Sequence, residues 1–474
     1  MSVRVSSWIV RFPLENTIHE TTRTDTNEDA EQIRVLTQSR QFEDLRSFAT
    51  RRPPGSRSLP VFQTPFTLRR MVRIAVIGAG IGGLTTAIAL RQFGFDPKVY
   101  EQAPALLDVG AAIAIWPNAM RVLQNLNLAD NVIARAGEIK AIQWLDHNGR
   151  LINRVSLADI VVKSPALALH RADLQEVLLE AVPLNSVHLG QSFIDYSQTN
   201  DQIIVHFANG NSVETDILIG ADGIHSKVRP KFLNDPPPSY RGYMVWRGIA
   251  ENARPKLPPA TAVELHGKGQ RFGIGPVGMG KVGWWAAANA ANTSMTAEER
   301  SGDRKTWQKG EYIPSRQTQE TQRELLRLFD GWHRPVLQLI EATPSGSILK
   351  TGAFDRRPSR LWGQQNMTLL GDAIHPMTPN FGQGGCMAIE DALILARCCE
   401  KYGAEERTLR RYEELRRSRT KDITRYSRLY GAVGQWRNVF ARGLRKSALS
   451  LVPENVARRL MQIVFDYDAS EVKI

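Results

Sequence analysis

The chain has 474 residues, 42% hydrophobic and 23% charged, the balance of a globular protein with room for two or three domains. Three cysteines, two of them adjacent (Cys398 and Cys399), exclude a disulfide framework and offer no metal-ligand spacing, so a reducing, cytoplasmic setting is expected. The formal charge of +13 lies mostly at the ends, and the near-neutral centre carries no nucleic-acid motif.

Residues 1–70 hold 11 Arg and no Lys against eight acids, show no sustained period and end in the loop-like "RRPPGSRSLP". A transit peptide should be poor in acids, so the segment reads as a disordered extension or an upstream mis-start before Met71. No secretory pattern follows Met1, and no run of about 18 apolar residues marks a membrane span.

From Met71 the grammar is α/β. "VRIAVIG" (72–78) is a continuous apolar run suited to a buried parallel strand. "GLTTAIALRQFG" (83–94) follows at helical spacing with Gly94 as its stop, and "PKVYE" (97–101) is a second strand. "NAMRVLQNLNL" (118–128) and "RADLQEVLLEAV" (171–182) read as amphipathic helices. "QIIVHFANGNSVETDILIGADG" reads as a hairpin turning at "NGN", then a buried strand. Several β-like segments occupy 240–290, two short helices follow, "NMTLLGD" (366–372) returns to strand grammar, and the last 75 residues are mainly helical.

"GAGIGG" sets Gly78, Gly80 and Gly83 in G-x-G-x-x-G register, after a strand and opening a helix. Gly78 makes the tight turn, Gly80 admits a pyrophosphate to the backbone, and Gly83 lets helix and strand pack closely. Ile81 and Gly82 complete the helix start, whose free N–H groups favour phosphate. Glu101, beside Gln102 at the end of the second strand, stands at the offset of a ribose-binding carboxylate. Plain NAD would leave unused a second glycine-rich stretch, "GDAIHPMTPNFGQGG" (371–385). The longer FAD needs such a second docking site.

Three further motifs, "HRADL" (170–174), "GADGIHSKVR" (220–229) and "LLGDAIHPMTPNFGQGGCMAIEDA" (369–392), complete a set that resembles the class A FAD-dependent aromatic hydroxylases. That group includes salicylate and 3-hydroxybenzoate hydroxylases, FAD-dependent urate hydroxylase and plant zeaxanthin epoxidase. The resemblance covers residues 72 to about 400. It implies tightly bound FAD, with Arg171 reaching the flavin side and Asp222 and Gly223 serving the pyrophosphate. Asp372, after Gly371, would accept from a ribityl hydroxyl, with a helix N-cap as its plainer role. Pro379, Gly382, Gln383, Gly384 and Gly385 would border the flavin ring and substrate. The helix after them would offer its N-terminus to the charge of the reduced flavin.

The implied activity is monooxygenation: NAD(P)H reduces the flavin and leaves, O₂ forms a C4a-hydroperoxide, and its distal oxygen enters a small aromatic or conjugated substrate. The expected fold is a Rossmann-like FAD-binding domain, discontinuous over about 71–180, 210–235 and 350–400. A mixed or antiparallel substrate sheet (about 181–209 and 236–349) is inserted in it, and C-terminal helices (401–474) follow. Tyr243, Trp246, Arg247, Trp284 and Trp285 are expected to line the substrate cavity. Alternation along "YMVWRGIA" sets Tyr243, Val245 and Arg247 on one face. Arg247 is the expected anchor for a carboxylate or enolate oxygen, a structural ion pair being its alternative. No metal site is expected, since neither His225 nor His375 has ligand-type neighbours at metal spacing. The expected assembly is a monomer or homodimer. A flavin-dependent dehydrogenase without oxygen insertion is the second enzyme reading; the halogenase W-x-W-x-I-P motif is missing. Residues 443–465 form a basic, partly amphipathic stretch that reads first as a helical cap and second as a membrane-surface contact.

Overall fold

The computed structural model describes residues 72–474 apart from 107–110, 159, 200–201, 252, 254, 291–306, 309–310 and 313–317. The expectation for residues 1–70 therefore lies outside the described residues. The helices used below are α1 (Ile81–Gln92), α2 (Pro117–Asn125), α3 (Arg171–Glu180), α4 (Thr318–Leu328), α5 (Arg334–Ala342), α6 (Gly384–Tyr402), α7 (Glu406–Gly434), α8 (Val439–Leu451) and α9 (Glu454–Phe465).

A five-stranded sheet orders its strands 367–369, 217–220, 74–77, 98–100 and 187–188. All its pairs are parallel. Its strands are short apolar runs because both faces are covered. Ile77 pairs with Gly220, and Gly220 with Leu369. Three sequence motifs separated by well over a hundred residues thus emerge at the carboxyl ends of adjacent strands, where ligands sit in open α/β sheets. The long apolar helix α6 packs on α1. A Cβ on Gly82 would come within 2.9 Å of Leu370 and 3.2 Å of Ala388, so small residues set that spacing.

A second sheet has seven strands in the order 349–355, 239–250, 282–289, 270–276, 261–266, 141–146 and 151–156. It is mixed, as expected, but its boundaries differ from the expectation. It recruits residues 141–156 through a parallel pairing of Thr261–His266 with Ala141–Asp146. The expected segment 181–209 instead supplies two strands (193–199 and 202–207) of a separate three-stranded antiparallel sheet. Its turn does lie at "NGN", with Gly210 at φ +86°.

One face of the large sheet carries Met244, Trp246, Leu265, Phe272, Ile274 and Trp284, packed against Leu325 of α4, Phe329 just beyond it, and Val336 and Leu339 of α5. Trp246 and Trp284 are therefore core residues and not cavity lining. Trp284 stacks on Phe272 at 5.4 Å and donates its indole N–H to Thr343 Oγ1 at 2.8 Å. Burial of each such ring contributes about 2–3 kcal/mol. Tyr243, Val245, Trp285 and Ala287 occupy the opposite face.

Candidate active site

The glycine loop has the geometry its spacing predicts. Gly78 sits at φ +107°, and a Cβ there would lie 2.6 Å from the carbonyl oxygen of Ala221. A Cβ on Gly83 would overlap the carbonyl oxygen of Gly78, so this residue holds α1 against its strand. Gly80 differs. It is the N-cap of α1, makes no side-chain cap, and a Cβ there would meet nothing within 4 Å. Space is left where a ligand backbone would lie, and Ile81 and Gly82 begin the helix below it.

Glu101 follows its strand and binds the loop itself: its carboxylate accepts from the N–H of Ala79 at 2.8 Å and of Ala103 at 3.0 Å. Gln175 of α3 donates to the Ala79 carbonyl at 2.8 Å. Gln102 is exposed beside it. Glu101 thus rigidifies the glycine loop.

Asp222 caps its own turn, accepting at Oδ2 from the N–H groups of Lys227 (2.7 Å) and Val228 (3.2 Å). Oδ1 is buried and makes no hydrogen bond. Burial raises this carboxyl above its ordinary range, while hydrogen bonds from Ser226, Val228 and Lys227 pull it down. Gly223 follows at φ +78°. Arg229, in the same motif, is fully buried and ties it to the third strand end. It donates to the carbonyls of Ala373 (2.9 Å) and Ile374 (2.8 Å) and pairs with Asp235 at 2.6 Å.

Gly371 turns at φ +60° and presents Asp372, which is exposed at the floor of a cleft. Desolvation by the surrounding protein raises its carboxyl, opposed by the charges of His375 and Arg171. Arg171 opens α3 and its N–H donates to Ala111. Asp372 caps no helix. A Cβ on Gly384 would lie 3.7 Å from its Oδ1, so the carboxylate stands at the N-terminus of α6. That helix has Gln383 as N-cap with no capping hydrogen bond, which leaves its first-turn N–H groups open. Gln383 Oε1 accepts from Asn118 of α2 at 3.0 Å, whereas its Nε2 is buried and unbonded. Gly382 at φ +59° and Gly385 complete the loop; Cβ atoms there would approach Trp116 and Ile113.

A buried ionic network supports this loop from behind. His375 Nε2 meets Asp391 Oδ2 at 2.6 Å, which also accepts from the N–H of Gly371 at 3.0 Å. Arg416 of α7 binds Asp391 at 2.6 Å and Glu390 at 2.7 Å, and Arg419 binds Glu390 at 2.7 Å. Burial alone would raise Asp391, but the charges of His375 and Arg416 hold its carboxyl down at about 2. The acids of "IEDA" carried this signal in the sequence; their partners, some 25 residues on, did not show.

The loop and the large sheet meet at Asn380, between Pro379 and Gly382. Its Nδ2 donates to Tyr243 Oη, Thr378 Oγ1 and the Ser427 carbonyl, each at 2.9 Å. Its Oδ1 accepts from Arg271. Arg271 is fully buried, pairs with Glu264 at 3.1 Å, and lies 5.2 Å from the Trp285 ring centroid. Arg271 and Asn380 were not foreseen as site residues. Arg247 shares the Tyr243 face, half-buried, and donates to Thr351 Oγ1 at 3.3 Å.

The cleft fits an FAD on three counts: open space over Gly80, the unbonded Asp222 Oδ1, and the unbonded Gln383 Nε2 beside an uncapped helix. Known proteins agree. A family model described as "FAD binding domain" matches residues 71–427. The aurachin C monooxygenase/isomerase of Stigmatella aurantiaca is 39% identical over 381 residues, covering 80% of this chain and 94% of the relative. The FAD-dependent urate hydroxylase of Klebsiella pneumoniae is 32% identical over 356 residues, 74% of this chain and 88% of the relative. The crystal structure of Klebsiella pneumoniae HpxO with FAD and uric acid superposes with a TM-score of 0.74 at 28% identity, covering 83% of this chain and 97% of that one. The chain belongs to the FAD-binding-domain family and is an FAD-dependent monooxygenase of the aromatic hydroxylase type.

Proposed function

We propose that the chain inserts one oxygen atom of O₂ into a small aromatic or conjugated substrate held between the Pro379–Gly382 loop and the Tyr243–Trp285 face of the large sheet. FAD, when bound, supplies acceptance of electrons from NAD(P)H and activation of O₂. Gly78, Gly80 and Gly83 would hold its pyrophosphate, with Asp222 and Glu101 alongside. Asp372, Arg171 and the Gln383–Gly385 turn would hold its ribityl and ring end. The open N-terminus of α6 stabilises negative charge gathering there.

The observation that carries the substrate reading is the hydrogen bond between Asn380 and Tyr243. It makes the glycine-rich loop and the sheet face one unit, so a substrate seated on the sheet is registered against the ring. Tyr243 is buried, which raises its phenol and keeps it protonated, available to orient a substrate oxygen. Arg247 supplies a cationic anchor four residues further along the strand, on the same face. Trp285 excludes water, which oxygen insertion requires. The protein should be expressed as residues 71–474 and assayed for flavin absorbance and for NADH or NADPH oxidation. The panel comprises phenols, hydroxybenzoates, purines and carotenoids. Tyr243→Phe and Arg247→Ala should each raise KM for a turned-over compound about tenfold or more while FAD stays bound. Unchanged KM in both variants would remove this face from the substrate site.

A further inference from the structure

Helix α8 is held down at few points. It buries only Arg445 and Leu449. Arg445 donates to the carbonyls of Gly434 (2.6 Å) and Gly267 (3.0 Å), Leu449 O accepts from Asn153 at 2.6 Å, and Lys446 meets Asp146 at 3.1 Å. Its other side is open: Val439 is 70% exposed, Phe440 87%, Leu444 56% and Leu451 76%. Phe440, Leu444 and Leu451 recur at i, i+4 and i+11, one stripe on the face opposite Arg445 and Leu449. The next helix behaves differently. In α9, Ala457, Met461, Val464 and Phe465 are buried, and Phe465 stacks on Trp116 at 4.7 Å. The stretch 443–465 therefore divides in function: α9 is the cap, and α8 presents an apolar stripe to solvent.

Charge decides what covers it. Between Arg437 and Val452 stand four cations and no acid; Arg437 and Lys446 are exposed, whereas Arg445 is buried and Arg442 is half-buried on the Leu449 side. A second copy meeting this face across a two-fold axis would set like charges together. A lipid surface with acidic headgroups is complementary on both counts, taking the stripe at the acyl boundary and the cations among the headgroups. The stripe is also close in the chain to the substrate face. Gly434, the last residue of α7, would place a Cβ 2.7 Å from Arg271 Cδ, and Gly431 one 3.1 Å from Tyr243 Oη. We propose that α8 docks the protein on an anionic lipid surface, with Phe440, Leu444 and Leu451 entering the headgroup boundary and the exposed Arg437 and Lys446 facing the headgroups. This goes beyond the oxygenation reading and does not rest on it.

The test is flotation of the full FAD-loaded chain with vesicles of phosphatidylcholine, with or without about a third phosphatidylglycerol, at low and high salt. Co-flotation with the anionic vesicles at low salt is expected, reduced about tenfold or more on neutral vesicles or at high salt. The exposed double variant F440S/L444S should lose flotation about tenfold or more while retaining FAD, turnover of soluble substrate and elution volume. The variant R437E/K446Q should lose the preference for anionic vesicles. Failure of the wild-type chain to float with anionic vesicles, or equal flotation of F440S/L444S, would overturn the proposal. So would light scattering showing a dimer that F440S/L444S converts to monomer, since the stripe would then be a self-interface.

Discussion

Gly80 and Gly83 stand three residues apart in one motif, yet the structure gives them opposite roles. A methyl group on Gly83 collides with the Gly78 carbonyl, so Gly83→Ala should destabilise the fold by about 2 kcal/mol or more, read as a lower urea midpoint. A methyl group on Gly80 meets only open space. Gly80→Ala should therefore leave the apoprotein as stable as wild type and weaken FAD about tenfold or more, read by flavin titration. Equal loss of stability in both would show that Gly80 serves packing and not a ligand. Asp372→Ala should likewise lower flavin retention with little effect on apoprotein stability, because its side chain is exposed and caps no helix. Asp391 is the residue that ties the loop to pH. Its carboxyl lies at about 2 against an ordinary 3.8. A depressed pKa contributes stability that is present above about pH 4 and lost as pH falls through about 2, roughly 2 kcal/mol in all. Urea melts of wild type and Asp391→Asn across pH 6 to 2 check this: the variant should start less stable and show a shallower acid loss. Parallel curves would contradict the assignment.

At the scale of elements, what could be read from sequence was whatever is local. The strand–glycine–helix unit, the turn at "NGN" and the start of α3 at Arg171 each write their signal within a dozen residues, and the structure has them. What could not be read depends on partners far along the chain. The parallel pairing of 261–266 with 141–146 leaves no mark in either strand. Along "YMVWRGIA" both alternating sets are apolar, because the sheet is covered on both sides, so alternation separates the faces without saying which one is core. That is why Trp246 and Trp284 were expected at the cavity and lie instead under α4 and α5. Trp246→Ala should cost about 3–5 kcal/mol of stability and leave the KM of the remaining folded enzyme near wild type. The acids Glu390 and Asp391 were visible inside a motif, but Arg416 and Arg419 are ordinary charges on a long helix until α6 and α7 pack together. Asn380 illustrates the same limit within the loop, because two of its three hydrogen-bond acceptors, Tyr243 and the Ser427 carbonyl, come from distant parts of the chain.

In the molecule as a whole, the parallel sheet brings three motifs to one edge, and the large sheet brings a polar-aromatic face to the glycine-rich loop. Neither sheet alone would supply both halves of the proposed site. Asn380 and Arg229 are the joints: one links the loop to the large sheet, the other links the second motif to the third. Among the described residues no helix is long and apolar enough to cross a membrane; the lipid contact proposed above lies at the surface of α8. The central claim is that the oxygen entering the substrate comes from O₂. It is tested most directly by turnover of the FAD-loaded enzyme with NAD(P)H and an accepted aromatic compound under ¹⁸O₂, followed by mass spectrometry of the product. One ¹⁸O atom per product molecule, matched to one NAD(P)H oxidised, is the predicted result; substrate conversion coupled to NAD(P)H with no ¹⁸O incorporated and no O₂ consumed would contradict the account.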